Sequence, residues 1–175
     1  MNFFDKRFPF RIVAEAAGIK HDTAAKWISR NYLVMRTEDR ETSGRGAGKL
    51  LSARTSQQTI LAAELNRRGM SPEHACEAAI CFAHEGEVKG HHHATVSRRP
   101  GHLYPDGLTL FFLNRESPWL STVRHFTGEE PIKKIRLELD AVDLEMLFQM
   151  RIGALGVELL LAISDMKAAC EAGAN

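Results

Sequence analysis

Two helix signals stand three residues apart near the start of the chain, and this spacing constrains the fold more than anything else in the sequence. Phe10, Val13, Ala14 and Ala17 fall at i, i+3, i+4 and i+7, one face of a helix. Pro9 suits its first turn, where a missing N–H is harmless, and Gly18 supplies the left-handed stop. After Gly18-Ile-Lys-His, Asp22 is placed to cap a second helix over residues 23–30. Ala24, Trp27 and Ile28 form its apolar side, and Asn31 is a common left-handed substitute for glycine. Helices this short are unstable alone and must pack at once. The pattern is therefore a helix-turn-helix set on further structure.

The chain supplies that structure. Residues 32–35 read as a strand, and residues 49–51 as its partner in a hairpin whose tip carries Gly44, Gly46 and Gly48. Ser52 caps a third helix that ends at Gly69. Ser71-Pro72-Glu73 opens a fourth, with a cap, a proline in the first turn and an acid near the positive helix end, running to about His84. Residues 86–107 are loop-rich. Residues 108–113 and 132–139 read as strands, residues 119–126 as a third, and Asp140 as the cap of a final helical region reaching about Ala172. The fold expected is α+β: a winged helix-turn-helix over 1–85, a linker over 86–107, and a strand and helix module over 108–175.

At this point the chain resembles the DNA-binding domain of MerR-type transcriptional regulators, over residues 8–84. Phe8 and Phe10 stand where the family opens its first helix, and Thr23 and Trp27 match its threonine and aromatic on the second. Asn31-Tyr-Leu33 stands where the family has Gly-Leu-Leu. Ser52 and Gly69 keep its seventeen-residue spacing, and Met70-Ser-Pro-Glu73 is similar to the start of its fourth helix. Asp22 and Ala25 depart from arginines common in the family, and Lys49-Leu50-Leu51 from its basic-basic-Tyr wing. The resemblance implies a homodimeric regulator that binds double-stranded DNA. Three cysteines without framework spacing, Cys76, Cys81 and Cys170, point to a reduced cytoplasm.

Charge points the same way. Residues 1–60 hold 11 Lys+Arg against 6 Asp+Glu, a surplus of five, while the rest of the chain is net acidic. A recognition helix sets its N-terminal residues near base edges. Lys20, His21, Thr23, Lys26 and Arg30 are the polar groups on or before the second helix. Lys26 and His21 are assigned nearest the bases, whereas Arg36, Arg40, Arg45 and Lys49 of the wing are assigned to phosphates. Phe10 and Trp27 lie on apolar faces and belong to the core.

Other chemistries find less support. Cys76, Cys81 and His84 share one expected helix, with His91, His92, His93 and His102 following. His84 at i+3 from Cys81 can chelate, but Cys76 and Cys81 stand roughly 140° apart, a poor start for a metal site, and the three adjacent histidines diverge along an extended chain. No metal or cofactor is expected. Asp140, Asp143 and Glu145 are explained as charges at a helix N-terminus rather than a catalytic pair. No phosphate loop or nucleophile elbow is present, so no enzyme is expected. The longest apolar stretch, residues 152–163, is twelve long and holds Glu158, so no membrane span is expected; nor is a secretion signal, given the mixed charges of the first seven residues. Leu144, Leu147, Phe148, Ile152 and Leu155 recur near helical spacing in a region apolar almost all round, which assigns the dimer interface to residues 108–172. Two alternatives stay open: a protein- or ligand-binding module with a purely structural helix-turn-helix, and an excisionase-like phage protein that bends DNA.

Overall fold

The computed structural model describes residues 3–41, 49–89, 96–105, 107–127 and 141–143. These residues form an α+β structure of four α-helices and two three-stranded antiparallel sheets. A short strand β1 (Arg7–Pro9) leads into α1 (Phe10–Ala17) and α2 (His21–Ser29). Strands β2 (Arg40–Glu41) and β3 (Lys49–Ser52) precede α3 (Ala53–Arg67) and α4 (Pro72–Ala83). Strands β4 (Leu108–Phe112), β5 (Thr122–Phe126) and β6 (Ala141–Asp143) make the second sheet.

The helix ends follow from the capping residues. Gly18 closes α1 at φ 64°, a conformation costly for any residue with a Cβ, and its N–H and that of Ile19 return to the last carbonyls of α1. Asn31 takes φ 59° after α2. The Ser52 and Ser71 hydroxyls accept from the backbone N–H groups of Thr55 and His74. One expectation shifts: α2 begins at His21 with Lys20 at the cap, not at Asp22. The α1 closure uses up the turn within two residues, and Thr23 N–H already donates to Lys20 O, so Asp22 falls inside the first turn.

The first sheet differs from expectation more substantially. Residues 32–35 are not a strand. Both edges of β3 are taken: Phe8 pairs with Leu51 on one side and Arg40 with Leu50 on the other. Side chains of α3 bind the backbone of Tyr32 and Val34 instead. Gln58 accepts from Val34 N–H at 2.9 Å and donates to Tyr32 O at 3.3 Å. The hairpin is thus β2–β3.

The second sheet has the order β5-β4-β6. Residues 141–143 correct the expected helix start at Asp140: they are extended and pair with Leu110, Phe111 and Phe112. Asp143 therefore stands opposite Leu110 rather than in a helical first turn. Residues 119–126 are a strand only from Thr122, because Pro118–Leu120 forms a 3-10 turn. The expected strand at 132–139, the helical region beyond 143, His91–His93 and Cys170 lie outside the described residues.

One buried cluster joins Trp27 and Leu33, residues of α3 and α4, Phe111 and Val123 of the second sheet, and Leu113 just after β4. It takes residues from both sides of the 86–107 stretch. A smaller cluster packs Phe8, Phe10, Val13 and Leu51 under α1, and Ile19 and Ile28 touch both. Small side chains line both helices in the larger cluster: Ala62 and Ala63 on α3 and Ala75, Ala78 and Ala79 on α4 are all buried in it.

The 86–107 stretch is tied to α4 by Arg98. Its side chain is fully buried and ion-paired with Glu87. It donates to the carbonyls of Cys81, Phe82, Glu85 and His102. These include carbonyls that a helix C-terminus leaves without partners. Glu87 and Arg98 also exchange backbone hydrogen bonds, and Gly86 lies so close to the Arg98 carbonyl that a Cβ would collide with it.

Candidate functional site

Helix α2 is held by its inner face and open on its outer one. Ala24 and Trp27 are buried, while Lys20, His21, Asp22, Lys26, Ser29 and Arg30 are exposed. Thr23 is half-buried at the boundary. At 3.6 residues per turn, Asp22 and Lys26 lie about 40° apart and share the middle of the outer face. The His21 ring packs edge-on against Phe10 with centroids 4.7 Å apart, and its Nδ1 stands 3.8 Å from the Asp22 carboxylate. The Asp22 side chain is 94% exposed.

Four of the expected cations or near-cations, Lys20, His21, Lys26 and Arg30, are therefore exposed along α2 and its two caps. The hairpin residues are less uniform. Lys49 is half-buried in β3, opposite Glu41. Arg40 lies in β2, and its side chain and all of Arg45 fall outside the described residues.

Arg36 turns inward. Its Nε donates to His84 Nδ1 at 2.9 Å, at the C-terminal end of α4. His84 Nδ1 is thereby an acceptor, so the ring proton sits on Nε2 and is donated to Gln58 Oε1 at 3.1 Å. Burial pushes the imidazole down to about 4, with the neighbouring Arg36 and Arg54 adding to the effect against Asp39 and Glu38. Asp39 organises the same segment: its carboxylate accepts from the N–H of Arg36, the N–H of Ser52 and the Thr55 hydroxyl. Arg7 Nε donates to the Glu38 carbonyl at 3.0 Å. The path into β2 is thus tied to β1, β3, α3 and α4. Sequence reasoning missed Asp39 and Gln58, and it weighed His84 only as a metal ligand beside Cys81. Apart from the Arg36 N–H three residues before Asp39, their side-chain partners lie 13 to 48 residues away, beyond any local period.

The cysteines on α4 are buried, and burial raises both thiols to about 12. Cys81 Sγ lies 3.5 Å from the Trp119 carbonyl. Both nitrogens of His84 are already bonded, so a metal there would displace Arg36 and Gln58. Among the described residues no three His, Cys, Asp or Glu side chains are arranged to hold a metal ion, and no helix is long and apolar enough to cross a membrane.

Comparison with family models, curated proteins and solved structures finds no match to this chain. The surface chemistry must speak for itself. A rigidly held helix presenting several long cations suits a polyanion, whose phosphates they reach without reshaping the scaffold.

Proposed function

We propose that this chain is a MerR-like transcriptional regulator that binds duplex DNA through a winged helix-turn-helix, with α2 in the major groove and the β2–β3 hairpin as wing. The observation that carries the reading is the outer face of α2. Lys20, His21, Lys26 and Arg30 project from a helix fixed from below by Trp27 and Ala24. Lys26 and His21 are assigned to base edges. Lys20, Arg30, Arg40, Arg45 and Lys49 are assigned to phosphates.

The protein acts as a cytoplasmic homodimer in this reading, since one small module covers too few base pairs to specify a genomic site. The pairing surface lies within residues 108–172. Adjacent Trp119 and Leu120, each 59% exposed, supply the kind of apolar anchor that interfaces use.

The deciding experiment selects bound sequences from random duplex DNA with the full chain, then measures affinity across a salt series. A selected site with two related halves and a steep salt slope supports the reading. Failure to bind any duplex at low salt rejects it.

A protein-binding module with a structural helix-turn-helix is the second reading. The observation favouring it is Asp22, whose exposed carboxylate in the middle of the α2 face repels phosphate. Affinity for a protein ligand without affinity for DNA would select it.

A further inference from the structure

Arg36, His84 and Gln58 form a chain of hydrogen bonds from the segment before β2, across the end of α4, into α3. Each atom's role is fixed. Gln58 Oε1 accepts from Val34 N–H, so it is an acceptor towards His84 as well. Gln58 Nε2 donates to the carbonyls of Cys76 and Tyr32, which fixes the orientation of the amide. The imidazole must donate from Nε2 and accept at Nδ1. The neutral ring fits this arrangement and the charged ring does not.

A proton added to Nδ1 would meet the N–H of Arg36 Nε. Two donors would then face each other, each on a cation. The charged groups around the ring do not offset this. Arg36 and, from α3, Arg54 oppose a positive ring, while Asp39 and Glu38 favour it but carry less weight. Asp39 is already engaged with Ser52, Thr55 and the Arg36 backbone. Relief comes from Arg36, which swings away from His84 and so removes the segment's tie to the end of α4, leaving the Asp39 bonds to Ser52 and Thr55 and the Arg7 bond to the Glu38 carbonyl.

We propose that Arg36 and His84 are positioning residues: a proton-sensitive latch that holds the segment leading into the β2–β3 hairpin against α4 and releases it when His84 is protonated. Arg36 is accordingly not a phosphate contact. The consequence for DNA rests on the reading of that hairpin as a wing. Acid should then weaken binding.

The test is amide hydrogen exchange at Val34, Arg36 and Asp39 in the free full-length protein, with nitrogen NMR of His84, between pH 7.5 and 5.5. With the ring at about 4 when latched and 6.5 when released, the opening equilibrium rises about tenfold over that range. Exchange divided by the intrinsic rate should rise by that factor. His84→Gln keeps one acceptor and one donor but cannot titrate, so its exchange should stay flat. Binding to the selected duplex should fall with pH in the wild type and not in His84→Gln. Unchanged exchange in the wild type, or an equal rise in His84→Gln, overturns the latch. Responsive exchange without DNA binding at any pH leaves the latch standing and removes the DNA reading.

Discussion

The guanidinium of Arg98 lies 5.1 Å over the ring of Phe82 while donating to that residue's own carbonyl at 3.1 Å. One side chain thus packs on the core and closes the end of α4. Replacing it by alanine would leave Glu87 without its buried partner and several carbonyls without donors. Arg98→Ala should cost about 3–5 kcal/mol. Arg98→Lys should recover little, because an ammonium cannot fork to so many acceptors. Urea unfolding of both variants checks this, and a loss under 1 kcal/mol for Arg98→Ala would count against the account.

The α2 face yields a prediction of opposite signs. Lys26→Ala should weaken binding to the selected duplex by about 1–3 kcal/mol if it reads a base. Asp22→Asn should strengthen binding to all duplexes alike by removing a repelling charge. A loss confined to the selected sequence would instead mark Asp22 as an acceptor for cytosine. Fluorescence anisotropy on matched and scrambled duplexes separates these outcomes.

Stability should fall in mild acid. His84 is neutral in the folded chain down to about 4, whereas the unfolded chain protonates near 6.5. Its contribution is complete above 6.5, declines as pH drops through the window, and levels off below 4. The gap sets a ceiling of about 3 kcal/mol, and the half-buried ring should give about 1–2 kcal/mol after solvent screening. Urea midpoints at pH 7.5 and 4.5 measure it. His84→Gln should show a smaller drop than the wild type.

Cys76 and Cys81 should be chemically silent in the native protein. Both are buried and both thiols are held near 12, so almost no thiolate is present at neutral pH. In a Cys170→Ser background, a thiol reagent at pH 8 should label neither until urea is added, and then both. Rapid native labelling at either position would contradict their burial.

What the sequence made legible was local. Gly18, Asn31, Ser52 and Ser71 act within four residues of themselves, and the helix ends they imply are present. The outer face of α2 was readable by elimination, once Ala24 and Trp27 were assigned to the core. The first half of α3 was not readable by periodicity. Thr55, Ser56, Gln57, Gln58 and Thr59 are consecutive, polar and buried, each engaged in hydrogen bonding. Strand β1 is three residues long and ends in proline, too little pattern to register as a strand. Arg36 looked like a wing cation because nothing near it in sequence announces His84, 48 residues on.

The Glu87–Arg98 bridge has a consequence for the ten residues between. The chain leaves α4, and the two flanks of this segment meet through paired backbone hydrogen bonds. Its length therefore does not set where the second sheet sits. Doubling it adds only about 0.6 kcal/mol of closure entropy. The paired flanks at Glu87 and Arg98 thus mark a place where evolution or an engineer can splice in new sequence without moving either neighbour.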